Sequence, residues 1–210
     1  VDNCSRRQDL KMTIEEVERQ LEIYKSPVFR GNQTAKNYIR DVEFLLEELK
    51  KKAYLKRFIQ VGTSELYGSV EKPSKETDAL NPSSPYAVSK AAFDLHLDIL
   101  RMQGFENSVI RPSNAYCIGQ QLHRIIPKAL ICALSGKRLP LQGGGKAKKS
   151  YLHASDLSRA ILLLLTSEPG IYNCGPETSA SIRGVVALCA QACGVTFEDL
   201  VKLTHDRMGQ

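Results

Sequence analysis

Apolar positions along the 210-residue chain change their period several times, and the changes lay out helices and strands in alternation. Ile14, Val17, Leu21 and Tyr24 fall at helical spacing behind a Thr13/Glu16 capping box. Over residues 32–52 the same spacing returns through Tyr38, Val42, Leu45, Leu46 and Leu49, and Lys50, Lys51 and Lys52 suit the negative end of a helix dipole. Phe58–Val61 is an apolar run too short for a helix and is broken at Gly62, so it predicts a strand. Ser83-Ser84-Pro85 is a helix start. Further strands are predicted at 108–112, Leu139–Gln142 and Ile171–Cys174. Helices are predicted at 127–134, from an Asp156 cap through the apolar run 160–165, and at 179–193, where Ile182, Val185, Val186, Cys189 and Cys193 share a face. Short strands alternating with helices predict an α/β protein.

Composition narrows the function classes. With 42% hydrophobic and 25% charged residues the chain is an ordinary globular one, long enough for a real core. The net charge of +6 is spread over helices and loops without aromatic interleaving, so no nucleic acid is expected as partner. Cysteines 4, 117, 132, 174, 189 and 193 form no C-x-x-C pair or zinc spacing, which fits a reducing, cytoplasmic setting. Histidines 96, 123, 153 and 205 are scattered, and no metal site is expected. The run 160–165 is far too short to span a bilayer and no leader is visible, so no membrane association is expected.

The break at Gly62 places Thr63, Ser64 and Glu65 at the carboxyl end of a strand, the edge at which open α/β sheets bind ligands. Tyr86 and Lys90 stand four residues apart on one face of the next helix. An ammonium beside a phenol favours the phenolate, which can act as a base, and the lysine could also reach a ribose hydroxyl. The bland alternative is a tyrosine ring packed beside a solvated lysine, and the spacing alone leaves both open.

Several segments, in order, resemble the extended short-chain dehydrogenase/reductases that modify nucleotide sugars. TSELYG (63–68) is similar to the Thr-x-Glu segment of sugar-nucleotide 4,6-dehydratases, closest in wording to the GDP-mannose enzymes. NPSSPYAVSKAAFD (81–94) resembles the active-site helix of the dTDP-glucose group. IRPSNAYCIGQQLHRIIPKAL (110–130), GKRLPLQGGGKAKKSYLHASDLSRAI (136–161) and IYNCG (171–175) follow that group's later segments. The resemblance implies a doubly wound Rossmann-like parallel sheet, incomplete at its amino end, over 1–110, and a smaller substrate-binding half over 111–210.

It further implies a 4,6-dehydratase with NAD as cofactor and a nucleotide-sugar substrate. Tyr86 with Lys90 would take the O4 proton as C4 is oxidised, Glu65 would remove the C5 proton, and Thr63 would hydrogen-bond O4. Asp2 would bond the adenosine ribose, joined in cofactor binding by Tyr86, Lys90 and Ser113. Thr63, Ser113, Asn114, Arg124, Lys128 and Lys149 would hold the substrate, the last three at its diphosphate, with Lys149 where the dehydratases usually carry arginine. A homodimer through the active-site helix and its neighbour is implied as well. Two departures stand out. Ser64 replaces the acid that protonates the leaving hydroxyl in dTDP-glucose dehydratases, though the GDP-mannose enzymes also use serine, and no G-x-x-G-x-x-G occurs, from which we expect a truncated chain or omitted segments. UDP-sugar 4-epimerase and UDP-glucuronate decarboxylase remain alternatives, and so does an inactive sugar-nucleotide-binding or scaffold protein.

Overall fold

The structure, a computed structural model, describes residues 33–70 and 72–204, with side chains described from Arg40 onward. Asp2, Cys4, the Thr13/Glu16 capping box with its helix, the Tyr38 side chain and His205 lie outside the described residues. In chain order the elements are α1 (Gln33–Lys50), β1 (Phe58–Val61), a 3-10 turn (Ser64–Tyr67), α2 (Pro85–Met102), β2 (Asn107–Pro112), β3 (Asn114–Tyr116) and α3 (Ile125–Leu134). There follow β4 (Leu139–Gln142), a second 3-10 turn (Gly143–Gly145), β5 (Lys148–Lys149), β6 (Tyr151–His153), α4 (Ala154–Leu164), β7 (Ile171–Cys174), β8 (Ala180–Ser181), α5 (Ile182–Ala192), α6 (Phe197–Leu200) and β9 (Val201–Thr204). They group into two compact units: the described residues through Pro112 with Ala160–Asn173, and Ser113–Arg159 with those from Cys174 on.

The first unit holds a three-stranded sheet in the order β1-β2-β7, with β1 and β2 parallel and Phe58 opposite Asn107. Its central strand β2 is buried at all six positions, as a strand covered on both faces must be. Leu46 of α1, Phe93, Leu97 and Leu100 of α2 and Val109 form its core, joined by Phe58 and Phe105. Phe58 meets Phe93 edge-on at 6.3 Å between ring centroids. On α1, Leu46 is buried but Leu45 is exposed, so the inward stripe is narrower than the spacing suggested. Asn107 closes the lower end of α2: its Nδ2 donates to the carbonyls of Leu97 and Phe105, each at 2.9 Å, satisfying a carbonyl near the helix end. The run 160–165 is only partly core. Leu164 is buried, whereas Leu162, Leu163 and Leu165 are each more than half exposed, because one face of the helix turns inward.

The second unit is built on α3, α5, α6, β4 and β9, whose Ala129, Leu139, Leu141, Val186, Cys189, Ala190, Leu200 and Val201 interlock. β4 pairs β9 and β3 pairs β6, both parallel. Two sequence expectations shift here. The 179–193 helix begins only at Ile182, because Ala180 and Ser181 are taken up by an antiparallel pairing with Lys149 and Lys148, and Ser181 Oγ then caps α5 by accepting from the Gly184 amide at 3.0 Å. Asp156 is not a cap: α4 opens at Ala154, so its carboxylate sits in the first turn, where the helix dipole still favours it. Gly143, Gly144 and Gly145 all have φ between 55° and 66°, a left-handed stretch that only glycine adopts in succession.

Candidate functional site

The ladder between β1 and β2 continues one residue past β1, where the Gly62 amide donates to Ile110 O at 2.8 Å. The chain then turns sharply. Thr63, buried, accepts from the Glu65 amide at 3.2 Å through Oγ1 and so caps the 3-10 turn, which leaves Ser64 half-buried and Glu65 exposed. Gly68 ends the turn at φ 72°, its amide donating to Glu65 O. A Cβ there would lie 2.5 Å from the Asn81 carbonyl oxygen, so the glycine is required twice over. The turn packs against α2.

Ser84 caps α2 by accepting from the Ala87 amide at 3.1 Å, with Pro85 as the first helical residue. This start puts Tyr86 on the first turn, half exposed, and Lys90 Nζ 5.9 Å from the Tyr86 ring centroid. The first unit therefore brings Thr63, Ser64, Glu65, Tyr86 and Lys90 onto two packed elements at the carboxyl side of β1. A hydroxyl, a carboxylate, a phenol and an ammonium in that arrangement can bind a polyol and move protons on and off it.

The remaining expected site residues belong to the second unit. Ser113 donates its amide to Cys174 O at 2.8 Å, and a Cβ at Gly175 would lie 2.7 Å from Ser113 Oγ, which is buried without a hydrogen-bond partner among the described residues. Asn114 holds Ser150 O with both its amide, at 3.1 Å, and its Nδ2, at 3.2 Å. Arg124 is the N-cap residue of α3 without a side-chain capping bond, Lys128 lies on its first turn, and Lys149 is in β5; all three are exposed.

Sequence reasoning missed a buried polar chain in the first unit. Asp94 is 1% exposed and Arg111 3%, and Arg111 Nε donates to Asp94 Oδ2 at 2.8 Å. Arg111 Nη1 donates to the Tyr67 hydroxyl at 2.7 Å, which donates in turn to Asn173 Oδ1 at 2.8 Å. Burial pushes the Asp94 carboxyl up to about 6, against the pull of the Arg111 guanidinium and, more weakly, of Lys90. Its Oδ1 has no hydrogen-bond partner among the described residues. The available signal was Asp94 itself, an acid inside the otherwise apolar stretch Ala91–Leu95, four residues beyond Lys90 and eight beyond Tyr86.

A family model described as the NAD dependent epimerase/dehydratase family matches residues 28–175. The chain is 37% identical over 156 residues to a dTDP-glucose 4,6-dehydratase of Streptomyces antibioticus, covering 72% of this chain and 46% of that protein. It is 31% identical over 179 residues to a trifunctional UDP-glucose 4,6-dehydratase, 3,5-epimerase and reductase of Arabidopsis thaliana, covering 82% of this chain and 27% of that one. Among solved structures it resembles a dTDP-glucose 4,6-dehydratase from Bacillus anthracis in complex with NAD, at TM-score 0.76 and 31% identity, covering 83% of this chain and 57% of the other. The chain thus spans about half or less of the length of these curated relatives.

Proposed function

The chain belongs to the NAD-dependent epimerase/dehydratase family, and from that membership we propose that it is the catalytic part of a sugar-nucleotide 4,6-dehydratase. The observation that carries the proposal is the pairing of Tyr86 and Lys90 on the first turns of α2 with Thr63 and Glu65 on the turn packed against it.

The donor set of the first unit fits a nicotinamide dinucleotide: the Lys90 ammonium and the half-exposed Tyr86 phenol are groups that hold ribose hydroxyls. On the sequence resemblance alone, Ser113 and Asp2 are proposed as further contacts. When bound, that cofactor supplies a place to park a hydride and return it. The protein's own residues handle protons. Tyr86, supported by Lys90, takes the proton of the sugar O4. Thr63 Oγ1 donates to O4, and Glu65, exposed at the tip of its turn, removes the C5 proton made acidic by a 4-ketone. Ser64 hydrogen-bonds the departing hydroxyl, and the proton that Glu65 takes from C5 passes to that hydroxyl, which leaves as water. Arg124, Lys128 and Lys149 neutralise the substrate diphosphate, with Ser113 and Asn114 near the sugar.

The test is incubation with dTDP-glucose, UDP-glucose, GDP-mannose and UDP-glucuronate, each with NAD, read by mass spectrometry. A product lighter by one water is expected. No mass change with altered sugar stereochemistry would replace the proposal with 4-epimerisation. Loss of carbon dioxide from UDP-glucuronate would make it a decarboxylase, and no turnover of any of them would make it a binding or scaffold protein. A homodimer through α2 and α1 is part of the proposal, in keeping with exposed Phe44, Leu45, Ile99 and Met102 on those helices, and light scattering checks it.

A further inference from the structure

The buried chain Asp94–Arg111–Tyr67–Asn173 takes no part in the proton chemistry above, yet two of its members, Tyr67 and Asp94, lie on the two elements that carry that chemistry. Tyr67 is the last residue of the 3-10 turn begun at Ser64, and Asp94 is on the Tyr86/Lys90 side of α2. From Asn173 the network goes on to a loop: its Nδ2 donates to Ser74 O at 2.8 Å and its amide to Glu76 Oε1 at 2.7 Å.

Three features argue against mere core filling. A phenylalanine would fill the Tyr67 ring site, which is 5% exposed, so the hydroxyl serves only to link Arg111 to Asn173. A buried ion pair with an unpartnered Asp94 Oδ1 holds the fold less well than an apolar filler of the same volume, and what it supplies is the fixed angle of a guanidinium fork. Finally, the backbone passes this carboxylate closely just before Thr63: a Cβ at Gly62 would lie 3.3 Å from Asp94 Oδ1.

We propose that the Asp94–Arg111–Tyr67 chain is the positioning device that holds the Thr63-Ser64-Glu65 turn in register with Tyr86 and Lys90, Tyr67 being the positioning residue on the turn and Asp94 that on the helix. The proposal deepens the dehydratase reading and rests on it. A displacement of about 1 Å between reacting groups can cost a hundredfold in rate. Tyr67→Phe in the whole protein is therefore expected to lower kcat ten- to a hundredfold with KM changed less than about twofold. Arg111→Lys, which keeps the charge and loses the fork, is expected to do the same, and the double variant to be no slower than the slower single, because both break one link. Leu46→Ala opens the same core with no tie to the network; it should melt earlier than Tyr67→Phe yet keep kcat.

A second measurement needs no turnover. Hydrogen exchange at the Glu65 and Gly68 amides, which close the turn, should quicken at least tenfold in Tyr67→Phe and stay at the parent rate in Leu46→Ala. Parent-like kcat or parent-like exchange in Tyr67→Phe overturns the proposal, as does a kcat that merely tracks melting temperature across the variants. Should the parent convert no sugar nucleotide, the dehydratase reading falls by itself, and the exchange arm alone decides this one.

Discussion

Replacing Asp94 with asparagine keeps the shape of a fully buried side chain and removes the one ionisation that burial opposes. Folding moves this carboxyl from its ordinary 3.8 to about 6, desolvation outweighing the attraction of Arg111 and Lys90, with Asp98 adding a little repulsion. The native state therefore binds the proton more tightly than the unfolded chain. It follows that stability contributed by the protonated group is fully present below about pH 4 and is lost as pH rises through about 6. At about 1.36 kcal/mol per pH unit the gap is worth roughly 3 kcal/mol, nearly all of it between pH 4 and 6.5. Asp94→Asn has no such slope. Urea unfolding of parent and variant at half-unit steps from pH 4 to 7.5 measures it, the other carboxylates cancelling in the difference. Relative to the parent, the variant should gain roughly 3 kcal/mol across that window and then level off. A flat difference, or a parent that gains on the variant as pH rises, would show that Arg111 repays the burial of Asp94 in full, and the reasoning would fail.

Three other outcomes are expected. Tyr86→Phe should fold normally, bind the sugar nucleotide as the parent does and turn over at least a hundredfold more slowly; more than about a tenth of parent activity in steady-state assays removes Tyr86 as the base. Glu65→Gln, nearly identical in shape and exposed, should abolish deuterium uptake from solvent at the sugar C5 together with water loss, and wash-in at the parent rate by mass spectrometry would assign that proton to another group. Gly68→Ala should lose at least about 1–2 kcal/mol of stability from the left-handed backbone alone, before the clash with the Asn81 carbonyl is added, and an unchanged urea midpoint would refute the need for glycine there.

Where a structural choice is local, it could be seen in the sequence. β1, β4 and β7 begin and end where their apolar runs do, and the Ser84-Pro85 start of α2 is written in the capping chemistry. The same holds for the residues brought to the carboxyl side of β1, since a glycine break and a four-residue helical spacing are short-range facts. What escaped notice depends on distant partners. Ala180 and Ser181 become a strand only because Lys148 and Lys149 lie alongside, and no propensity marks a two-residue bridge. Arg111 falls inside the predicted strand 108–112 with nothing local to single it out. Its burial could not be inferred without Asp94, seventeen positions earlier, and Tyr67, forty-four earlier. The diphosphate contacts proposed for Arg124, Lys128 and Lys149 rest on order in the sequence and on chemistry, since each side chain is exposed.

The bond from Tyr67 to Asn173 joins residues 106 positions apart, and Arg57, just ahead of β1, donates to the carbonyl of Leu164 across 107. During synthesis at about 5–20 residues per second, the Thr63-Ser64-Glu65 segment therefore leaves the ribosome roughly 5–20 s before the residues that complete its support exist. Throughout that interval Arg111 and the Tyr67 hydroxyl are left to each other, to Asp94, to the Glu76 carbonyl at 3.5 Å from Arg111 Nη1, and to water. The turn proposed to carry the proton chemistry is thus among the earlier parts of the chain to be made and among the last to be fastened, and a nascent chain halted before Asn173 would have both packed elements without the tie from β7.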